Sequence, residues 1–181
     1  MHYVNRAIIY PLRMNRSSQP VPLVVILSAV AFTALNGYLQ CFYLGHIEKL
    51  NPLTISASGV HNLQVLVGIS IFFIGMGINI YSDGVLRNLR SQNKDTNATT
   101  RRYYIPKGVF FTLISCPNFA GEILEWLGFA IASNFSLPSV AFVCYTASNL
   151  VPRGIAHHEW YKNKFEEYPS ERKWAVIPFI A

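Results

Sequence analysis

Polar side chains recur at helical spacing inside a sequence that is otherwise strongly apolar. Glu122 and Glu125 follow Asn118 at distances of four and seven residues, so the three side chains lie along one side of a helix. Two further sets repeat this kind of spacing, and their members are Asn79, Asp83 and Arg90, and Arg153, His157 and Tyr161. Amide, carboxylate, imidazole and guanidinium groups brought together suit a ligand with phosphates, riboses and amides, which describes a nucleotide cofactor.

Each of these three sets forms a polar stripe along one side of a helix, and the residues alone leave two interpretations of the stripes open. The groups could pair with one another as links between helices, for example Glu122 with Arg90 or Arg153. Alternatively, the three stripes converge on a polar ligand. The presence of three stripes together favours a ligand site over a purely structural role. No GxGxxG follows a strand, and no Walker A, HExxH or CxxC motif occurs, so spacing leaves the cofactor unidentified. Gly75 and Gly77 are interpreted as close-packing positions between helices.

The elements that must position these side chains are membrane helices. Only 13% of the 181 residues are charged, about half the share in soluble proteins. Residues 21–44 and 63–82 carry no charge, residues 108–135 carry only the two glutamates, and residues 133–152 are again uncharged. Runs of this length predict helices that cross a bilayer. We therefore expect an all-α, polytopic transmembrane helix bundle with at least four spans and a cofactor cavity that faces the cytosol.

The basic residues predict the orientation of the bundle. They concentrate in residues 1–20, in the connector 83–107 and in the tail from Arg153, whereas the loop 45–61 carries only Lys49. Loops rich in Lys and Arg remain on the cytosolic side, so the amino end, the connector and the carboxyl terminus are expected there. Topology thus explains the net charge of +6 without nucleic acid as a partner. The three cysteines lie far apart, which predicts free thiols and no metal site.

Long motifs resemble those of the steroid 5α-reductases, also called 3-oxo-5α-steroid 4-dehydrogenases. They are GMGINIYSDGVLRNLR (75–90), YYIPKGVFFTLISCPNFAGEILEWLGFAIAS (103–133) and PRGIAHHEWYKNKFEEYPSERKWAVIPFI (152–180), with shorter matches in 2–13 and 35–40. Members of the family have further membrane segments before the position of Met1, and residues 1–12 read as the tail of a helix. We therefore expect residues 1–181 to be one carboxyl-terminal domain of a longer chain.

The resemblance implies a multi-pass enzyme of the endoplasmic reticulum membrane that uses NADPH, takes a steroid substrate in contact with membrane lipids, and needs no metal. It implies reduction of the Δ4 double bond of a 3-oxo steroid. Tyr3 matches the tyrosine that hydrogen-bonds the steroid C3 carbonyl and is the expected catalytic residue. The positions that match residues around the cofactor are Arg6, Asn79, Asp83, Arg90, Tyr103, Asn118, Glu122, Arg153, His157 and Tyr161.

Two other functions compete with this expectation. One is a related membrane reductase that acts on an enoyl thioester or a polyprenol. The motif GEILEW (121–126) argues against it, because this motif follows the pattern of the steroid enzymes. The other is a truncated, non-catalytic sterol-binding membrane protein. Binding of NADPH separates an enzyme of either kind from the non-catalytic protein.

Overall fold

The computed structural model describes the backbone of residues 2–4, 8–9, 12, 21–47, 59–92 and 103–180, with side chains except at 3, 47, 59–62 and 90–92. Within these ranges the regular structure is helical, and no strand is present beyond one isolated bridge. The long helices are α1 (Leu23–Phe42), α2 (Gly59–Gln92), α3 (Pro117–Ala132) and α4 (Leu137–Lys164). The expectation of an all-α fold is confirmed for the residues that the structure describes.

Two of the described segments are long and apolar enough to cross a membrane, namely Leu23–His46 and Leu63–Leu89. The first combines α1 with the π-helical turn Tyr43–Ile47, and the second is most of α2. A core helix of a soluble protein would be mostly covered by its neighbours, whereas only 6% and 17% of these segments is buried. Exposed apolar helices of this length are typical of contact with lipid.

The apolar run 108–135 does not form one continuous helix. A short 3₁₀ turn, Val109–Phe111, is followed by a segment whose backbone bonds to the tail: the Ser115 N–H donates to the Trp174 carbonyl at 3.0 Å. α3 begins only at Pro117 and has 16 residues, fewer than the roughly 20 that span a hydrocarbon core. Crossings beyond the two apolar segments therefore stay a prediction.

Glycines bring α2 and α3 unusually close together in antiparallel orientation. A Cβ at Gly75 would collide with the backbone of Gly121 and Glu125, and one at Gly68 would collide with the backbone of Gly128 and Ala132. Small residues at such a crossing let helix backbones touch. The packing role of Gly75 is confirmed, but that of Gly77 is wrong, because a Cβ there would meet no atom within 4 Å.

The carboxyl-terminal tail covers the start of α3. Ala175 and Val176 pack with Cys116 and Phe119 and with Leu150 of α4 in one buried apolar cluster. This cluster fixes the amino end of α3 between α4 and the tail, which is where the polar stripes of the sequence meet.

Candidate functional site

The first two polar stripes are joined by a chain of amide hydrogen bonds between α2 and α3. The Asn79 side-chain amide donates to the Asn118 carbonyl at 2.8 Å, and the Asn118 side-chain amide donates to Oδ1 of Asp83 at 3.1 Å. Asn79 and Asp83 are 1% and 7% exposed. The bonds are possible because the glycine crossing brings the two backbones together one turn away, at Gly75 and Gly121.

The third stripe, on α4, faces the same place across a cavity of about 380 Å³. The lining residues are Asp83, Leu86, Arg87, Ser115, Cys116, Asn118, Phe119, Arg153, His157 and Tyr161. Five of them were expected around a cofactor from the sequence, and they come from three different helices. The volume falls in the range of small-molecule sites.

The electrostatics of this cavity suit an anionic ligand. Arg87 and Arg153 line it, and the guanidinium of Arg153 lies 5.7 Å from the centre of the Phe119 ring. The amino terminus of α3, which carries the partial positive charge of the helix dipole, opens on the same cavity through Cys116 and Asn118. Partial loss of water and then the charge of Arg153 lower the pKa of His157 below its usual 6.5, so this imidazole is neutral at pH 7.

A second polar network supports the wall of the cavity at Ser115. The Ser115 hydroxyl lies 2.6 Å from Nδ1 of His158 and 2.6 Å from the hydroxyl of Tyr168. Arg172 donates to the Pro106 carbonyl at 2.9 Å and stacks over Tyr168. Burial lowers the pKa of His158, as do the charges of Lys162 and Arg172, while Glu159 opposes them. This network ties the tail to the residues before α3.

Comparison with known protein families identifies the family of this chain. The sequence profile described as 3-oxo-5-alpha-steroid 4-dehydrogenase matches residues 19–181. The chain belongs to this family.

Relatives from plants and animals extend the match to almost the whole chain. Steroid 5-alpha-reductase DET2 of Arabidopsis thaliana is 41% identical over 99% of the chain and 66% of its own length. The 3-oxo-5-alpha-steroid 4-dehydrogenase 2 of Macaca fascicularis is 41% identical over 99% and 65%, and the human 3-oxo-5-alpha-steroid 4-dehydrogenase 1 is 42% identical over 99% and 64%. The chain thus spans slightly less than two thirds of the length of these 3-oxo-5-alpha-steroid 4-dehydrogenase family members.

In this member of the family, the remaining expected residues lie in different surroundings. Asn79 does not line the cavity but bonds to the backbone of Asn118 behind its wall. Tyr103 is 47% exposed and packs edge-on against Trp160, with ring centres 5.0 Å apart. The side chains of Tyr3 and Arg90, and the whole of Arg6, lie outside the described residues.

The glutamates of α3 meet the amino-terminal turn, His2–Val4. The imidazole of His2 donates from Nδ1 to Oε2 of Glu125 at 2.9 Å, and its Nε2 lies 4.0 Å from Oε1 of Glu122. Glu125 is 0% exposed. Sequence spacing placed both carboxylates on the stripe of Asn118, but it did not indicate that His2 contacts them.

Some lining residues were missed, although one had a signal. Arg87 follows Asp83 by four residues, so it lies on the same side of α2 as the stripe that included Arg90. Ser115, Cys116 and Phe119 line the cavity because the bonded tail bends the chain before α3. No residue pattern indicated that bend.

Proposed function

We propose that the protein is an NADPH-dependent membrane oxidoreductase that reduces the Δ4 double bond of a 3-oxo steroid to the 5α-steroid. The observation that carries this proposal is a cavity to which α2, α3 and α4 contribute Asp83, Asn118 and Arg153. The names of the relatives, steroid 5-alpha-reductase and 3-oxo-5-alpha-steroid 4-dehydrogenase, support the choice of substrate.

The groups that line the cavity fit NADPH. Arg87 and Arg153 supply the planar donors that phosphate oxygens prefer, and an arginine near the cofactor is how NADP sites accommodate the 2′-phosphate. Asp83 can accept hydrogen bonds from ribose hydroxyls. The further proposed cofactor contacts are Arg6, Arg90, Tyr103 and Glu122.

Asn118, His157 and Tyr161 have a positioning task in this proposal. The Asn118 side chain is oriented by Asp83 and its backbone by Asn79, so its carboxamide presents a fixed polar edge to the cavity. A neutral His157 and the ring of Tyr161 provide a flat wall without an added charge. NADPH, when bound, would supply a hydride, and these residues would hold its nicotinamide end in one orientation.

Tyr3 is the proposed catalytic residue. Addition of a hydride to C5 of the enone moves electrons onto the C3 oxygen, whose negative charge grows toward the transition state. A proton from water then adds to C4 as the C3 carbonyl re-forms, which completes the reduction. A hydroxyl that donates to the C3 oxygen stabilises charge that is only partly present in the ground state. Loss of one such donor costs roughly a hundredfold or more in turnover.

We further propose a multi-pass location in the endoplasmic reticulum membrane with the carboxyl terminus in the cytosol. The two exposed apolar segments support membrane contact, and the basic connector and tail support the orientation. A steroid would reach the bundle from the lipid, whereas the cofactor would enter from the cytosol.

The test uses the 181-residue chain reconstituted in lipid nanodiscs. NADPH binding is measured by its fluorescence, and turnover is measured by mass spectrometry with testosterone, a long-chain enoyl thioester and a polyprenol as separate substrates. We expect saturable NADPH binding and a 5α-reduced steroid. Folded protein that binds no NADPH, or that reduces the thioester or polyprenol in preference to the steroid, would overturn the proposal.

A further inference from the structure

Glu125 is a buried carboxylate with no role in the proposed cofactor cavity. It does not line that cavity, yet it is 0% exposed in an apolar helix. Burial of a charge is costly unless a partner compensates it. Among the residues that the structure describes, its hydrogen-bond partner is His2, at 2.9 Å, so this buried group is tied to the amino-terminal turn.

His2 packs against side chains of α3. It is 7% exposed, and its ring packs edge-on against Trp126 with ring centres 5.0 Å apart. Glu122 approaches Nε2 at 4.0 Å. Three successive contacts of α3 therefore fix the orientation of a residue that is bonded covalently to Tyr3.

α3 sets the distance between the contact of Glu125 with His2 and the cofactor cavity. Glu125 lies seven residues after Asn118, which corresponds to about 10 Å along a helix. The backbone of α3 cannot shift easily at this level, because Gly75 of α2 lies directly against the backbone of Glu125. α3 thus links the amide of Asn118 to the turn that carries the proposed catalytic tyrosine, Tyr3.

We propose that Glu125 is a positioning residue: through its hydrogen bond to His2 it holds the amino-terminal turn, and with it Tyr3, at a set place relative to the cofactor cavity. This inference rests on the proposed function of Tyr3. It explains why α3 carries a second glutamate inside an apolar segment.

The test compares Glu125→Leu, Glu125→Gln and His2→Leu with the matched control Gln64→Leu in nanodiscs. Gln64 donates from Nε2 to the Ile131 carbonyl at 2.9 Å, so its loss removes a polar link between α2 and the far end of α3 without touching His2. We expect Glu125→Leu and His2→Leu to lower kcat for the steroid about a hundredfold, as misplacement by about 1 Å does, with Kd for NADPH unchanged within twofold. Glu125→Gln, which keeps an acceptor for the imidazole, should recover most of kcat, and Gln64→Leu should change neither quantity.

A second measurement reports the position of the turn without activity or cofactor. Val4 is 54% exposed, so a spin label at Val4→Cys, in a Cys41→Ser and Cys144→Ser background, reports the mobility of the turn by electron paramagnetic resonance. We expect an immobilised label that becomes mobile with Glu125→Leu and stays immobilised with Gln64→Leu.

The variants separate this inference from the proposed function. An unchanged label mobility or an unchanged kcat in Glu125→Leu would overturn the positioning role, as would a loss of NADPH affinity as large as the loss of kcat. If Tyr3→Phe retains full turnover, the proposed role of Tyr3 fails instead. A large loss in Tyr3→Phe, with the kcat loss and mobile label of Glu125→Leu, supports both.

Discussion

The side-chain amide of Asn118 donates a hydrogen bond to Asp83 at 3.1 Å across the α2–α3 crossing. This bond orients an amide that lines the cavity, and Asn79 holds the backbone of the same residue at 2.8 Å. Two neighbouring helices thus define one wall of the proposed cofactor site.

Removal of this oriented amide should weaken cofactor binding selectively. Asn118→Ala removes the amide that lines the cavity, and a polar group of the bound cofactor that loses its hydrogen-bond partner costs about 1–3 kcal/mol. We therefore expect Kd for NADPH to rise about 10- to 100-fold while steroid affinity changes little. Fluorescence titration with NADPH and steroid equilibrium binding measure the two quantities. Asn149→Ala removes an exposed amide that bonds within α4 and serves as the control. A larger effect on steroid affinity than on NADPH would refute the assignment of Asn118.

The two cavity arginines should determine the preference for a phosphorylated cofactor. Hydrogen bonds to charged groups contribute about 1.5–3 kcal/mol, so we expect Arg87→Leu and Arg153→Leu each to raise Kd for NADPH about 10- to 100-fold. At least one should affect NADH much less, because NADH lacks the 2′-phosphate. Titration with both cofactors at fixed salt measures the ratio, and Lys173→Leu, at an exposed residue outside the lining, is the control. Equal losses for NADPH and NADH in both arginine variants would remove the 2′-phosphate assignment.

Two glycines on one helix should respond oppositely to the same substitution. A Cβ at Gly75 meets the backbone of α3, whereas one at Gly77 meets open space. Gly75→Ala should therefore destabilise the protein by about 1–3 kcal/mol or more through overpacking, and Gly77→Ala should leave stability equal or up to about 1 kcal/mol higher. Thermal unfolding in detergent measures both. A similar midpoint for the two variants would contradict the close crossing.

Mild acid should destabilise the protein through its histidine pair. The pKa values of His157 and His158 are lowered by partial burial and neighbouring cations, so below pH 6.5 the unfolded chain binds more protons than the folded one. Unfolding free energy therefore falls as the pH drops from about 7 toward the lowered pKa values. We expect this decline in denaturant titrations between pH 7 and 5, and a shallower one in His157→Gln and His158→Gln. An unchanged slope in both variants would show that other groups cause the decline.

Helical spacing in the sequence predicted some of the contacts of the site residues but not all of them. Arg153, His157 and Tyr161 were grouped by spacing, and they line one cavity with Asp83 and Asn118. Glu122 and Glu125 were grouped with Asn118 by the same rule, yet they meet His2 instead. Helical periodicity predicts which side of a helix a residue occupies. It does not predict which residue of another segment lies opposite at that height along the helix axis.

Sequence alone determined the helical class, the two long apolar segments, the family motifs and the membership of each polar stripe, because these depend on local spacing and side-chain chemistry. Only the tertiary structure decided that α2 and α3 touch at Gly75 and Gly121, that Arg87 reaches the cavity, and that His2 lies on Glu125. The physical reason is distance along the chain. These contacts join residues far apart in sequence, and their levels are set by where two helix backbones can approach without a side chain between them.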